Sequence, residues 1–181
     1  MRPVWFGSRF SNYQKGFFMK RVLFAVLGVA VASAAFAQSD DPLFSEGDWS
    51  AYKGSSNLSL LTANKEETTG FGMVCGISSE KCSWSVIGAA GLCKVGEKVP
   101  VLVAGTGGVG GIASEMGCSV SDEDGTVFEL RDFDAITGLV SASDHIQLAT
   151  PTDAGIVTVE YPTKGYLRAT VKLQRLHPPK K

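Results

Sequence analysis

The chain has 181 residues, of which 17 are basic, 18 are acidic and four are cysteines. Five of the basic residues and none of the acidic ones precede residue 38, so residues 38–181 contain twelve basic against 18 acidic residues, a net charge of −6. A mildly acidic chain argues against nucleic acid or anionic lipid as the main partner, because both favour a basic surface.

The first 37 residues predict export. Residues 19–21 include two basic side chains, residues 22–32 are uninterruptedly apolar, and Ala35 and Ala37 form a small-x-small cleavage site. Together these features are typical of a secretory signal peptide over residues 19–37. The apolar run is shorter than the about 20 residues of a membrane span, which favours cleavage after Ala37. We therefore expect a periplasmic or secreted protein with no membrane span after cleavage, and we assign residues 1–18 to an upstream extension.

The remaining residues are enough for one domain with its own core. Residues 38–48 are polar and acidic and predict a flexible lead-in, residues 49–176 predict a single β-rich domain, and residues 177–181 form a tail. In chain order, apolar runs and alternation predict strands over residues 48–52, 57–62, 70–77, 82–87, 98–104, 112–120, 125–130, 145–149 and 155–161. Asp132 resembles the N-cap of a short helix. Residues 165–173 fit a strand or a helix.

These elements predict a mainly β fold: a small antiparallel sandwich or barrel with one or two short helices, stapled by disulfides. Trp49 is expected to anchor the core. Pro100 lacks an N–H donor, so the strand that contains it is expected at an edge of the sheet, or to start near this proline.

Cys75, Cys82, Cys93 and Cys118 are the candidate site residues, and we predict that they form two disulfides. Zinc sites usually bring ligands in close pairs such as C-x2-C, and no such pair occurs in the sequence. Four cysteines allow three pairings. Two apolar runs joined by residues 78–81 predict a β-hairpin that brings Cys75 and Cys82 within bridging distance. This leaves Cys93 and Cys118 for the second bridge.

Residues 105–110 match the dinucleotide-binding pattern G-x-G-x-x-G and follow an apolar strand. In such sites the glycines let backbone N–H groups approach a pyrophosphate at the start of a helix. Here the next stretch, residues 111–117, is too short and glycine-bounded for a crossover helix, and no second βα unit follows. We therefore predict a strand–strand loop and no cofactor.

No catalytic constellation emerges from the sequence. His145 and His177 are the two histidines, and Asp144 beside His145 would point to the opposite face of a strand. No G-x-S-x-G motif occurs, and the acidic turn at residues 121–125 lacks the ligand set of a calcium loop. We expect neither an enzyme nor a metal site.

Four short motifs resemble the invasion-associated locus B family of exported bacterial proteins. They are the Gly-Asp-Trp of residues 47–49, the hairpin from Cys75 to Cys82, the Met-Gly-Cys of residues 116–118 and the Gly-Tyr-Leu-Arg-Ala of residues 165–169. The resemblance implies a secreted or envelope β-rich domain, associated with host-cell invasion in some pathogens, and a C-terminal helix. The family tends to have a cysteine shortly before its Gly-Cys, where this chain has Ser114 and Glu115, and Cys93 is the alternative partner of Cys118.

The functional expectation is an exported, non-catalytic protein that acts by protein–protein contact at the envelope or the host surface. The alternative is a periplasmic inhibitor or a small-ligand-binding domain. The protein partner is unknown, and nucleic acid is not expected.

Overall fold

The computed structural model describes residues 41–79 and 81–176. The predicted upstream extension, signal peptide and tail lie outside these residues. The strands are β1 (Phe44–Glu46), β2 (Trp49–Lys53), β3 (Asn57–Ala63), β4 (Gly70–Gly76), β5 (Cys82–Gly88), β6 (Lys98–Gly105), β7 (Gly110–Ser121), β8 (Thr126–Leu130), β9 (His145–Thr152) and β10 (Gly155–Pro162). The helices are α1 (Phe133–Ala142) and α2 (Tyr166–Leu176).

The strands form one antiparallel sheet in the order β1-β2-β3-β4-β5-β8-β7-β6-β9-β10. Because β5 pairs with β8, the β6–β7 hairpin lies between β8 and β9. The sheet curls, so that β10 comes back towards β3 and the ring of Tyr161 lies 5.3 Å from that of Phe71. The prediction of a mainly β, antiparallel, disulfide-stapled fold with short helices is confirmed.

An aromatic cluster fills the core. Trp49 and Trp84 are completely buried, and the ring of Phe71 stacks on Trp84 at 4.9 Å. Tyr166 of α2 lies 5.1 Å from Trp49 and 5.7 Å from Trp84. Each such pair contributes about 0.5–1.5 kcal/mol beyond the burial of its area, so the cluster ties β2, β4, β5 and α2 into one core. The expectation that Trp49 anchors the core is confirmed.

Two local expectations are refined by the pairing. The lead-in predicted over residues 38–48 contains strand β1, which pairs with β2. Pro100 lies near the start of β6, and β9 pairs with β6 only from Leu102 to Gly105, so the missing N–H faces no strand partner on that side. The prediction of a strand start is thus confirmed, although β6 is internal to the sheet.

The two helices differ from their predictions in detail. Asp132 is the N-cap of α1, but its backbone is left-handed (φ 62°) and its side chain does not cap the helix. The Asp132 carboxylate instead accepts a hydrogen bond from the Ser114 hydroxyl at 2.9 Å. The ambiguous last element is the helix α2, because Tyr166, Ala169 and Leu173, which recur at helical spacing, are the side chains buried against the core.

Candidate functional site

The two ends of the domain cross at a pair of glycines, Gly47 and Gly165. Both have positive φ, 63° and 94°, and each lies against the backbone of the other segment. A Cβ on Gly165 would lie 2.8 Å from the carbonyl carbon of Glu46, and a Cβ on Gly47 would lie 2.9 Å from that of Lys164. Glycine is required at both positions, since any side chain would push the two segments apart.

Two of the four motifs that carry the family resemblance, residues 47–49 and 165–169, meet at this crossing. The Asp48 amide donates to the Lys164 carbonyl at 3.0 Å, and Arg168 Nε donates to Glu46 Oε1 at 2.8 Å. The next residues of the two motifs, Trp49 and Tyr166, are the ring pair of the core. These motif residues therefore stabilise the fold, and none of them presents a nucleophile with an oriented base.

The four cysteines are all consumed in disulfides. Cys75 and Cys82 are direct partners in the β4–β5 ladder, with Cα atoms 4.0 Å apart. Cys93, in the loop before β6, is bonded to Cys118 on β7, with Cα atoms 6.2 Å apart. The predicted pairing is confirmed. Since all four sulfurs are bonded, none is available as a metal ligand or a nucleophile.

The glycine run at residues 105–110 connects β6 to β7 in a hairpin, so the predicted strand–strand loop is confirmed. Gly107, Gly108 and Gly110 have φ between 79° and 94° with open space around their Cα atoms, so they serve the turn. Gly105 is packed against Ser143, whose Cβ would lie 3.2 Å from a Cβ at Gly105. A strand, not a helix, follows the glycines, so the helix N-terminus that would hold a pyrophosphate is not formed here.

A cavity of about 600 Å³ lies beside the glycine crossing. Its lining combines apolar surface, including that of Val140, Pro162 and Leu167, with polar side chains: Asp48, Ser141, Ser143, Asp144, His145, Thr163, Lys164 and Arg168. The His145 imidazole lies 3.9 Å from the Glu160 carboxylate. Within residues 41–79 and 81–176, no serine or threonine side chain hydrogen-bonds that imidazole, and no His/Cys/Asp/Glu group is arranged to hold a metal ion.

Two buried tyrosines have perturbed acidity. Burial raises the pKa of Tyr161 above its ordinary 10.0, and the hydrogen bond with the Thr69 hydroxyl (2.8 Å) acts in the opposite direction. Burial likewise raises the pKa of Tyr166. Both phenols stay neutral and belong to the core, so neither offers a phenolate for chemistry near neutral pH.

The most exposed apolar side chains of the sheet lie on β10 and on β6, which is two strands away. Ile156 is 76% exposed and Val157 is 50% exposed, while Leu102 on β6 is 48% exposed. Leu102 pairs with Ala149 on β9, and Ile156 pairs with Pro151. Leu102 and Ile156 lie on one face of the sheet and Val157 on the other, so β10 exposes an apolar side chain on each of its two faces.

One side of β10 has no strand partner within the part of the chain that the structure describes. The Thr106 amide donates to the His145 carbonyl, so the backbone groups of residue 145 face β6. Because backbone groups alternate in direction along a strand, those of residues 145, 147 and 149 bond to β6 and those of residues 146, 148 and 150 bond to β10. Val157 and Val159 are paired with residues 150 and 148, and their N–H groups point inward. The N–H groups of Ile156 and Thr158 consequently point out from the sheet. We call residues 155–159 the free edge.

No protein-family model and no curated protein matches the chain. Its structure matches the crystal structure of invasion associated protein B from Bartonella henselae, with 17% sequence identity and a TM-score of 0.55. The match covers 75% of this chain and 98% of that chain.

This chain has the fold of invasion associated protein B. The family resemblance carried by the short motifs is thus confirmed at the level of the fold. The two disulfides are typical of an oxidising compartment such as the periplasm or the extracellular space. Among residues 41–79 and 81–176, no helix is long and apolar enough to cross a membrane.

Within this invasion associated protein B fold, the sequence predicts the cysteine pairs correctly but does not reveal the free edge. Alternation predicts a strand over these residues, but their place at the margin of the sheet depends on strand order, which alternation does not report. The sequence does contain a signal of this edge: residues 155–159 are mostly β-branched and include no charged residue and no proline, the residue types that usually protect an edge strand.

Proposed function

We propose that this chain is an exported, non-catalytic protein that acts by protein–protein contact at the bacterial envelope or at the host surface. The two disulfides support export, because they form in oxidising compartments. The fold of invasion associated protein B supports the same assignment by analogy. The observation that carries the proposal is the free edge, residues 155–159, with its outward N–H groups and its exposed Ile156 and Val157.

The free edge suits an extended segment of a partner. Natural proteins protect exposed edges with charges, prolines or bulges, because an open row of N–H and C=O groups recruits another strand. The free edge has none of these protections over residues 155–159, and the first acidic side chain after it is Glu160. A partner strand would gain main-chain hydrogen bonds from β10 and apolar contact with Ile156 and Val157.

Photo-crosslinking tests this proposal in the organism that produces the protein. A photoreactive phenylalanine analogue at position 156 should give one discrete adduct, whereas the same group at Val95, an exposed apolar residue in a loop, should not. Thr158→Pro removes an outward N–H without touching the β9 ladder and should abolish the adduct. Thr158→Val keeps the N–H and should retain it. Equal adducts from both positions, or an adduct that survives Thr158→Pro, would refute the assignment.

Export is tested separately by the intact mass of the protein recovered outside the cytoplasm. We expect a chain that begins at Gln38 and whose four cysteines react with an alkylating reagent only after reduction. A chain that retains Met19, or that has free thiols, would contradict export.

The cavity favours a second candidate, a periplasmic small-ligand-binding domain or inhibitor. Its volume of about 600 Å³ lies within the roughly 300–1,000 Å³ range of small-molecule sites, and its lining offers apolar surface together with a few polar side chains, as such sites usually do. Native mass spectrometry of the exported protein should then show a co-purifying small molecule that is lost in Lys164→Gln. Retention of the same species by this variant would remove the cavity as its site.

A further inference from the structure

The charges of this chain are segregated along the sequence. Residues 38–162 contain all 18 acidic residues and six basic ones, whereas residues 163–181 contain six basic residues and no acidic one. The local net charges are therefore −12 and +6, and the overall value of −6 is their sum. A surface that lies close to the chain responds to the nearby charges, because screening limits their reach to about 10 Å at 0.1 M salt.

Helix α2 carries three of these six basic residues, and all three are exposed. Its buried face is formed by Tyr166, Ala169 and Leu173. On the opposite face, Leu167 and Val171 follow each other at one turn and are 59% and 48% exposed. The exposed cations Arg168, Lys172 and Arg175 lie alongside these two aliphatic side chains. We call these five residues the outer face of α2.

Two of the three cations of this face, Lys172 and Arg175, and the exposed Lys164 two residues before α2 are available to a partner. Arg168 is paired with Glu46 at 2.8 Å. Lys172 lies over the ring of Phe44, with Nζ 4.5 Å from the centroid, a contact that does not neutralise its charge. Within the described part of the chain, Lys164, Lys172 and Arg175 form no ion pair.

We infer that the outer face of α2 docks on the headgroups of an anionic phospholipid surface. Positive charge complements such a surface, at roughly 1 kcal/mol per Lys or Arg near it, which corresponds to a factor of about five in partition. Leu167 and Val171 favour lipid over other polyanions. An aliphatic pair between cations removes apolar surface from water when it enters the headgroup region, as in interfacial helices. Nucleic acid offers no comparable apolar environment. This inference is independent of the free edge.

Vesicle binding tests this inference. The protein is purified after export, and its mass must show that it begins at Gln38, because the apolar residues 22–32 would themselves enter lipid. The protein should bind vesicles containing phosphatidylglycerol, should not bind phosphatidylcholine alone, and should dissociate as salt rises towards about 1 M. Exchanging Lys164, Lys172 and Arg175 for Gln should weaken binding roughly 100-fold.

The control variant exchanges Lys53, Lys65 and Lys94, which are also exposed, for Gln; this removes the same charge elsewhere and should weaken binding far less. The Leu167→Gln/Val171→Gln variant keeps every charge and should weaken vesicle binding while retention on heparin is unchanged. The inference is overturned if the protein ignores phosphatidylglycerol at low salt or binds phosphatidylcholine equally. It is also overturned if the two triple variants behave alike, or if heparin is bound and vesicles are not.

Discussion

Substituting Gly165 by alanine tests the crossing at which the two ends of the domain meet. A left-handed backbone costs an ordinary residue about 1–2 kcal/mol. The added Cβ would also lie 2.8 Å from the carbonyl carbon of Glu46 and 3.0 Å from the Cα of Gly47, both backbone atoms that cannot rotate away. Overpacking of this kind costs about 1–3 kcal/mol. We therefore expect Gly165→Ala to lower the free energy of unfolding by roughly 2–5 kcal/mol.

The matched control is Gly108→Ala. Gly108 has a similar φ of 82°, but a Cβ added there would meet nothing within 4 Å, so only the backbone penalty of about 1–2 kcal/mol applies. Urea unfolding followed by tryptophan fluorescence measures both variants, since Trp49 and Trp84 lie in the core beside the crossing. If the two losses agree within about 0.5 kcal/mol, the close backbone approach is not what makes Gly165 necessary.

Three further measurements probe other features. The disulfide between Cys93 and Cys118 closes a loop of 25 positions, and the hairpin disulfide closes one of seven. In the chain-entropy model, Cys118→Ser should therefore lower the free energy of unfolding by about 3.5 kcal/mol and Cys82→Ser by about 2.4 kcal/mol. Equal losses in urea unfolding would contradict that order. Thr137→Val removes the acceptor of the Trp84 indole N–H (3.0 Å) and should cost about 1–3 kcal/mol by urea unfolding, whereas an unchanged midpoint would mean the bond is dispensable. Because burial raises the pKa of Tyr161, its contribution to stability is intact below pH 10 and is lost as the pH rises further. Urea midpoints taken from pH 9 to 11 should fall less steeply for Tyr161→Phe than for the wild type.

Local features are accessible from the sequence. The hairpin between Cys75 and Cys82 follows from two apolar runs and a four-residue polar turn, and its disulfide follows from the hairpin. The context of the glycine run is equally local, since the residues after Gly110 lack the length and pattern of a crossover helix. In each case the deciding interactions lie within about a dozen residues, which is the range that periodicity and turn chemistry report.

Features that depend on distant segments are not accessible in this way. The pairing of β5 with β8 and the glycine crossing require knowledge of which strands become neighbours. Asp132 illustrates the same limit: its type and position predict a cap, but Ser114 on β7 competes for the carboxylate and the backbone turns left-handed. For the last element, alternation and helical spacing are both present, and burial of Tyr166, Ala169 and Leu173 against the core settles the matter.

The ion pair between Glu46 and Arg168 joins residues 122 positions apart, and it sits beside the crossing. The order of assembly follows from this. The β4–β5 hairpin can form and be bridged as soon as its own residues are available, because its contacts are local. The aromatic core, in contrast, stays open until Tyr166 arrives with the last helix. A nascent chain thus holds Trp49 and Trp84 accessible for most of its synthesis, and the final segment closes the domain.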